Sequence, residues 1–442
     1  MASNGNGHLN GHSNGHASVH VNVQVRGDDP TAPLPPGVVD IRTMIPKLGL
    51  KEYWYPALRD WEVKDKPVFL KLLGVDLVAF RGKSGEISIF HNACPHRGAF
   101  LSEGSCTFRG FLTCFYHGYT FDEKGECVAV LGEGPESPMV GKVHARVFPT
   151  VTLKGVVFVW MGDGEPCSLQ EGVPEEFLDD DALVLNWTTV WKTNWRPALE
   201  NVADSHFRLL HKNAVRVLMR PFPGPAWPRG RGAPQIINNH RLRASGQSDE
   251  APAMGVSRRK PGDPRQYYVG VDAKWPKTNY RRFWTWIFDW GEKRRLRRPY
   301  VLSQEWGPGE HLPGMFRQNY WTYVFTRWVI AIDEETSLLF YFHSAKPSNW
   351  IGRVYERIHF NLIGGWLQNQ NFSEQDGKGS IMAYHNTREH LSPSDLQTMM
   401  WRKFILTARG LKQEKDAKLE GAADILDSGA ASSPTAVGEG GG

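Results

Sequence analysis

The sequence predicts an α+β protein in which a small domain of antiparallel β-strands precedes a larger α+β domain of antiparallel sheet flanked by helices. Two patterns support this fold class. Between residues 50 and 165, short apolar runs alternate with turn residues, as in small antiparallel domains. Between residues 183 and 412, segments with helical periodicity alternate with strand-like segments rich in aromatic residues. A chain of 442 residues is long enough for two such domains.

The individual elements follow from these patterns in chain order. Apolar runs in the first domain predict strands at 68–73, 77–81, 87–91, 110–114, 128–131 and 155–161. In the second domain, the predicted helices are 195–212, 351–370 and 394–411, and the predicted strands are 280–289, 319–332 and 337–344. The sequence therefore predicts a first domain at 37–165, a linker rich in Asp, Glu, Pro and Gly at 166–182, and a second domain at 183–412.

The two ends of the chain differ from the rest in composition. Residues 1–36 are mainly Gly, Asn, His, Ser and Pro, and residues 413–442 are mainly Ala, Gly, Ser and acidic residues. Segments with so few large apolar side chains cannot offset the conformational entropy that ordering removes. We therefore expect a disordered low-complexity tail at 1–36 and a mostly disordered tail at 413–442.

Composition also limits the classes of function. No apolar run approaches the roughly 18 residues that a membrane-spanning helix needs, and residues 1–36 lack the apolar stretch of a secretory signal. The five cysteines do not form a disulfide framework. We therefore expect a cytoplasmic protein without a membrane partner. The net charge of +5 is small, and we expect the basic runs at 281–282 and 293–298 to be solvated or to dock an acidic electron-transfer protein rather than nucleic acid.

Two short motifs in the first domain carry the strongest functional signal. Cys94 and His96 form a C-x-H motif, and Cys114 and His117 form a C-x-x-H motif after seventeen intervening residues. Two thiolates and two imidazoles on two loops are the ligand set of a Rieske [2Fe-2S] cluster, in which histidines replace cysteines on one iron. Zinc is the weaker interpretation, because common zinc patterns pair Cys with Cys and His with His.

The residues beside these motifs also fit a cluster. Gly118 follows the second histidine, where the backbone has to pack closely. Four aromatic side chains near the second motif are expected to shield the cluster from water: Phe115, Tyr116, Tyr119 and Phe121.

A second group of metal-binding residue types lies within the predicted helix 195–212. Asp204, His206 and His211 fall in this segment. Two histidines and one carboxylate on one face, with open positions beside them, are the ligands of non-haem Fe(II) in oxygenases. The ligand carboxylate is expected from the acidic cluster after the predicted helix 351–370. Our choice is Asp376, with Glu374 as the reserve candidate.

Together, these motifs resemble those of the terminal oxygenase component of Rieske non-haem iron ring-hydroxylating oxygenases. The resemblance covers roughly residues 50–410 and includes the segments at 200–211 and 374–376. Trp-Tyr-Pro-Ala-Leu at 54–58 and Trp-Arg-Lys at 401–403 are most similar to the homotrimeric subgroup typified by carbazole dioxygenase and 2-oxoquinoline monooxygenase.

The resemblance implies a role for each candidate residue. The implied cluster ligands are Cys94, His96, Cys114 and His117, and the implied ligands of a mononuclear Fe(II) are His206, His211 and Asp376. Asp204 is implied to bridge an iron histidine of its own subunit and a cluster histidine of the next subunit. Because such a path exists only in a closed ring, the resemblance also implies a head-to-tail homotrimer.

The implied activity is that of a mono- or dioxygenase that uses O2 to hydroxylate a small apolar aromatic or heteroaromatic substrate. The chain shows no G-x-G-x-x-G after a strand, so NAD(P)H electrons are expected to arrive through a separate ferredoxin and/or flavin reductase. Two alternatives remain open. The same site can perform oxidative N- or O-demethylation or hydroxylate a steroid-like skeleton, or the chain can be a Rieske electron-transfer protein without oxygenase activity.

One spacing departs from the family pattern. Asp204 precedes His206 by two residues, whereas three is usual, although Asp204 and His211 keep the seven-residue separation of the trimeric subgroup. At about 100° per residue, a regular helix would point His206 away from Asp204 and His211. Either the helix is broken or carries a π-bulge there, or one of the assigned roles differs.

Overall fold

Four antiparallel sheets form the frame of the protein in a computed structural model that describes residues 40–201, 210–211, 214, 235–243, 296–320, 322–383, 388–391 and 395–411. Within these residues, strands predominate and helices cover part of the largest sheet. The predicted α+β fold class is therefore confirmed. The predicted tails at 1–36 and 413–442 and the predicted strand 280–289 lie outside the described residues.

The first domain contains three small sheets. Its strands are β1 (Trp54–Arg59), β2 (Val68–Leu72), β3 (Val75–Arg81), β4 (Ile87–His91), β5 (Leu112–Thr113), β6 (Tyr119–Phe121), β7 (Cys127–Val130), β8 (Val147–Phe148), β9 (Thr150–Leu153) and β10 (Val156–Trp160). The sheet orders are β1-β10-β9, β2-β3-β4-β8 and β5-β6-β7. All six predicted strands correspond to observed ones, because each is a short apolar run bounded by turn residues.

The second domain is built on one large sheet. Its strands are β11 (Leu183–Trp191), β12 (Gln235–Asn238), β13 (Arg241–Arg243), β14 (Arg297–Arg298), β15 (Gly309–His311), β16 (Met315–Asn319), β17 (Tyr323–Ala331) and β18 (Ser337–Pro347). Their order is β11-β18-β17-β16-β15-β13-β12, and β14 also pairs with β18. The predicted strand 319–332 begins too early, because the chain turns between β16 and β17.

The described helices are short apart from one continuous helical stretch. They are α1 (Leu169–Gly172), α2 (Trp195–Glu200), α3 (Trp350–His359), two π-helical segments (Phe360–Gly364 and Trp366–Ser373), α4 (Glu374–Ile381) and α5 (Leu396–Ile405). Short 3-10 turns occur at Ile41–Met44, Asp60–Glu62, Leu101–Glu103 and Glu175–Phe177. Helix α2 begins at the predicted residue but ends at Glu200, and residues 202–209 lie outside the described part. Among the described helices, none combines the length and apolarity that crossing a bilayer requires.

The segment 166–182, which the sequence predicts to be a linker, is packed against both domains. It contains α1 and a 3-10 turn, and Val173 and Phe177 are buried. The Phe177 ring lies 5.0 Å from the rings of Phe158 in β10 and Phe342 in β18. Its apolar side chains therefore join the cores of the two domains, while the domain boundaries themselves stay a prediction.

Helix α3 has its polar side turned inward and its apolar side turned outward. Glu356 is fully buried against β14 and β18, where Arg297 and His343 contact its carboxylate. The outward face of α3 and of the two π-helical segments that follow carries six apolar side chains that are 44–75% exposed and that we call the outer ridge: Trp350, Ile351, Val354, Ile358, Leu362 and Trp366. An exposed apolar surface of this length is typical of an interaction site.

Candidate metal centres

The two loops that carry the cysteine motifs share one backbone design. In each loop the cysteine N–H donates to the carbonyl five residues on, and the N–H four residues on donates back to the cysteine carbonyl. These bonds are Cys94 to Ala99 (2.8 Å), Gly98 to Cys94 (2.8 Å), Cys114 to Tyr119 (2.8 Å) and Gly118 to Cys114 (3.1 Å). The repeated pattern presents two equivalent turns, each of which begins with a buried cysteine.

Both turns need a glycine at their fourth residue after the cysteine. Gly98 and Gly118 have φ angles of +75° and +73°, a left-handed conformation that glycine adopts without steric conflict. The backbone N–H of Leu131 donates to the Gly118 carbonyl at 3.0 Å, so a third segment packs against the second loop.

The cysteine side chains lie inside and close together. Burial raises the pKa of the Cys94 thiol to about 12, and the neighbouring Cys114 thiol adds to this rise. The backbone N–H groups of His96 and Arg97 act in the opposite direction, because they stabilise the thiolate. Metal binding therefore has to displace a tightly held proton and gains N–H donors that already point at the sulfur.

The histidine side chains lie at the outer end of the same loops. The rings of His96 and His117 are 4.7 Å apart, and the His96 ring stacks on Tyr119 at 4.5 Å. His96 is exposed, whereas His117 is half-buried. The four candidate ligands thus form a buried thiol pair and an outer imidazole pair, which fits a cluster that takes two protein ligands on each iron.

The expected aromatic shield forms only in part. Tyr119 and Phe121 are buried beneath the cluster loops, but Phe115 and Tyr116 are exposed. The Tyr116 ring nevertheless lies 3.8 Å from the ring of the candidate ligand His117. Shielding of a cluster by Phe115 and Tyr116 therefore stays a prediction.

The second candidate centre brings together residues that are far apart in the sequence. Nε2 of His211 lies 2.8 Å from Oδ1 of Asp376, and the two residues are only 1% and 7% exposed. Two neighbouring ligands of one small divalent cation, with bonds of about 2.1 Å at right angles, lie about 3 Å apart. The separation of these two atoms therefore suits a shared metal ion.

The surroundings of this pair hold it in place. The Phe372 ring stacks on the His211 ring at 3.9 Å with an interplanar angle of 7°. Arg327 Nη1 donates to Oδ2 of Asp376 at 3.1 Å, and Arg327 Nη2 donates to the Ala198 carbonyl at 3.3 Å. The site is thus bounded by an aromatic ring on one side and a buried cation on the other.

A buried ion-pair network anchors α2, the helix that leads toward His211. Arg402 in α5 donates to both carboxylate oxygens of Glu200 at 2.8 Å, and Arg196 donates to Oε2 at 2.8 Å. All three side chains are buried. Because two arginines satisfy one buried carboxylate, the network joins α2 to the C-terminal helix with its charges compensated.

The reserve carboxylate lies elsewhere. Glu374 is exposed and accepts a hydrogen bond from Thr189 Oγ1 at 3.2 Å, so it does not share the buried position of Asp376. Asp204 and His206 lie outside the described residues. Within the part that is described, no three His, Cys, Asp or Glu side chains converge on one ion. The third candidate ligand, His206, lies outside this part.

Sequence reasoning missed Arg327 and Phe372. Arg327 had a visible signal, because it is a lone charge within the continuous apolar run of β17, and a charge buried in such a strand needs a partner. Phe372 had none, since an aromatic residue on a helix is more often part of a core.

Comparison with protein families identifies two successive domains. Residues 53–144 match the Rieske [2Fe-2S] domain, and residues 160–232 match the homotrimeric ring hydroxylases. The predicted resemblance and the predicted [2Fe-2S] cofactor are thus confirmed.

Individual relatives and solved structures agree with this assignment. The chain is 34% identical over 173 residues, 39% of its length, to the terminal oxygenase component of carbazole 1,9a-dioxygenase from Metapseudomonas resinovorans, and the match spans about half (45%) of that protein. It is 28% identical over 383 residues to the oxygenase subunit of 3-chlorobenzoate-3,4-dioxygenase from Comamonas testosteroni, covering 81% of this chain and 84% of that subunit. The terminal oxygenase structure of carbazole 1,9a-dioxygenase from Nocardioides aromaticivorans IC177 superposes with a TM-score of 0.64 at 25% identity, covering 84% of this chain and 97% of that one.

Proposed function

We propose that this chain is the terminal oxygenase component of a Rieske non-haem iron oxygenase and that it hydroxylates a small apolar aromatic or heteroaromatic substrate with O2. The observation that carries the proposal is the buried pair of His211 Nε2 and Asp376 Oδ1 at 2.8 Å, in a chain that also holds the four cluster ligands on two matched loops. An electron carrier would need the cluster loops alone.

Each candidate residue receives a role in this proposal. The cluster ligands are Cys94, His96, Cys114 and His117, and the ligands of the mononuclear Fe(II) are His206, His211 and Asp376. Asp204 is proposed to bridge the two centres across a subunit boundary. With these roles, the short spacing between Asp204 and His206 requires a departure from regular helix near these two residues.

The chain's own residues prepare the site for oxygen chemistry. When bound, the cluster supplies an electron and the mononuclear iron supplies the reaction with O2. Phe372 covers one face of the His211 imidazole and keeps water from it. Arg327 and His211 each contact one oxygen of Asp376, which fixes the orientation of the carboxylate.

The partners follow from the same proposal. A single turnover needs electrons from outside, so we propose a ferredoxin and/or flavin reductase that passes on NAD(P)H electrons. We also propose a head-to-tail homotrimer, which the exposed outer ridge and the exposed Phe115 and Tyr116 support by offering apolar surface for a neighbouring subunit. A cytoplasmic location is supported by the three cysteines outside the cluster motifs, Cys106, Cys127 and Cys167, which form no disulfide.

Iron content tests the proposed sites. We expect three irons per chain in the wild type and two in Asp376→Ala, which should keep the absorption spectrum of the cluster. Glu374→Ala, which changes a carboxylate two residues away, should retain three. Two irons in the wild type would identify an electron carrier.

Turnover tests the activity. Asp204→Asn should retain all iron but lose turnover of a panel of aromatic, N-heterocyclic and methoxylated compounds with a surrogate ferredoxin and reductase. Products formed under labelled O2 distinguish ring hydroxylation from demethylation. Full activity of Asp204→Asn would refute the bridging role.

A further inference from the structure

We infer that Arg327 is a positioning residue of the mononuclear metal site, which holds Oδ2 of Asp376 so that the carboxylate meets the metal through Oδ1 alone. The inference rests on the proposed function, because it assumes that His211 and Asp376 bind the metal. It adds a residue outside the ligand set and assigns the two oxygens of one ligand to different partners.

The two oxygens of Asp376 have different partners in the structure. Oδ1 lies 2.8 Å from Nε2 of His211, so it is the carboxylate oxygen nearest to the other proposed metal ligand. Oδ2 accepts a hydrogen bond from Nη1 of Arg327 at 3.1 Å. A charge-assisted bond of this kind is among the stronger hydrogen bonds, so Oδ2 is not readily released.

Arg327 is itself held from several sides. Its Nη2 donates to the Ala198 carbonyl in α2 at 3.3 Å, and its guanidinium lies 5.3 Å from the centre of the Trp191 ring. The side chain is buried in β17, at the centre of the large sheet. The guanidinium therefore contacts both α2 and α4, and moving it would break contacts to three elements.

A second buried arginine in the same sheet forms a bidentate ion pair, in which the guanidinium bonds to both carboxylate oxygens. Arg317 in β16 donates from Nη1 and Nη2 to the two oxygens of Glu176, at 2.8 and 2.9 Å. Arg327 instead engages one oxygen of its carboxylate and leaves the other to a histidine. Arg327 thus engages Oδ2 of Asp376, while Oδ1 lies beside His211.

This arrangement has a consequence for the metal. A carboxylate that binds through one oxygen occupies one coordination position instead of two, which leaves a further position for O2 or substrate. The positive charge of Arg327 also offsets the negative charge of the carboxylate. Residues that contact a metal ligand in this way tune the metal affinity and the activity of the site.

Cobalt substitution at the mononuclear site tests the inference without activity. In the purified full-length protein with its cluster, cobalt K-edge X-ray absorption reports only the substituted metal. We expect the wild type and Arg327→Lys, which keeps the cation, to give the same pre-edge intensity. Arg327→Met should show a lower pre-edge intensity and an additional oxygen neighbour, because the freed carboxylate then binds through both oxygens.

A control variant and the wild type complete the experiment. Arg196→Met removes a buried arginine from α2 but leaves Glu200 paired with Arg402, so its cobalt spectrum should match the wild type. A merely structural role for Arg327 would lower the cobalt content of Arg327→Met without changing the spectrum of the cobalt that remains, and this result would overturn the inference.

If Arg327→Met holds no cobalt, the crystal structure of the cobalt-loaded wild type decides. A structure in which Oδ2 of Asp376 is bonded to Arg327 and only Oδ1 binds cobalt supports the inference. A structure in which both oxygens of Asp376 bind cobalt overturns it. Failure of the proposed function looks different, because the wild type and Asp376→Ala would then bind equal amounts of cobalt.

Discussion

At the scale of single residues, the glycines of the two cluster loops adopt the same left-handed backbone conformation but differ in the free space around them. A methyl group on Gly118 would lie 2.6 Å from Cβ of Leu131, whereas one on Gly98 would meet nothing within 4 Å. Gly118→Ala should therefore lose the roughly 1–2 kcal/mol that a left-handed alanine costs, and about 1–3 kcal/mol more from overpacking. Thermal unfolding and iron content per chain measure this loss.

Gly98→Ala is the matched control, because its φ angle is almost the same. It should show only the backbone penalty and keep its cluster. Equal losses of stability in the two variants would mean that Leu131 moves away from the added methyl group without an energetic cost.

His359 gives the protein a pH-dependent stability. Burial, with Arg297 and His343 nearby, lowers its pKa from 6.5 to about 4. The unfolded chain then takes up a proton near pH 6.5, while the folded chain does so only near pH 4. The neutral His359 therefore adds on the order of 3 kcal/mol to the free energy of unfolding above pH 6.5. This stabilisation is lost as the pH falls from 6.5 to 4.

His359→Gln removes this titration. Between pH 7 and pH 4.5, the melting temperature of the wild type should fall further than that of the variant, as measured by circular dichroism. Parallel falls in both proteins would assign the acid sensitivity to other groups.

At the scale of elements, helix α5 is bonded to α2, the helix that leads toward His211 and the proposed metal site. Arg402→Met removes two hydrogen bonds from the buried Glu200 and leaves it with Arg196 alone. Breaking a buried pair costs on the order of 3 kcal/mol, and displacement of α2 should lower the mononuclear iron content while the cluster stays. Iron analysis and thermal unfolding check both effects.

Arg196→Met should be the milder change, because both Glu200 oxygens remain bound to Arg402. If both variants keep full iron occupancy, α5 does not support the site.

The π-helical segments decide which face of the long helix carries Asp376. Twenty residues separate Glu356 from Asp376, and at 100° per residue a regular helix would rotate Asp376 by about 200°, onto the opposite face. The wider turns of the two π-helical segments rotate less per residue. Both carboxylates therefore end on the buried face. The sequence predicts such an irregularity near His206, which lies outside the described residues, and the structure shows one in the helix that carries Asp376.

At the scale of the whole molecule, the outer ridge provides a test of assembly. Leu362 is 73% exposed at the middle of the helical stretch. In the proposed trimer we expect Leu362→Asp to dissociate the subunits, because a carboxylate in an apolar interface has no partner. Light scattering after size-exclusion chromatography measures the mass.

The dissociated variant should keep its iron and its cluster but lose turnover, since the proposed electron path crosses between subunits. Lys378→Asp, an exposed charge change in α4, is the control that should remain trimeric. A trimeric Leu362→Asp would place the outer ridge outside the interface.

The sequence was most informative where structure is local. The strands of the first domain follow from short apolar runs, and the cluster ligands follow from two motifs in which each loop supplies a complete Cys and His pair. Turns of five or six residues form by themselves around their own hydrogen bonds, so pattern and spacing are sufficient there.

The second centre was predictable only in part. The residue types and the segment with His211 are visible in the sequence, and the acidic cluster after the predicted helix 351–370 points to Asp376. Its rotation onto the buried face depended on π-helical turns that no apolar periodicity encodes. The packing of segment 166–182 and the inward polar face of α3 were likewise not predictable from the sequence. Both depend on the residues of other elements that pack against them.

By itself, the sequence determined the fold class, the cluster motifs and the kind of chemistry that their ligands support. Only the tertiary structure decided that His211 meets Asp376, that Arg327 holds the second oxygen of that carboxylate, and that Glu200 is held by Arg402 of α5. These contacts join residues separated by 49 to 202 positions along the chain. Their formation depends on the packing of helices against the large sheet, whose free energy comes from the whole core rather than from any local pattern.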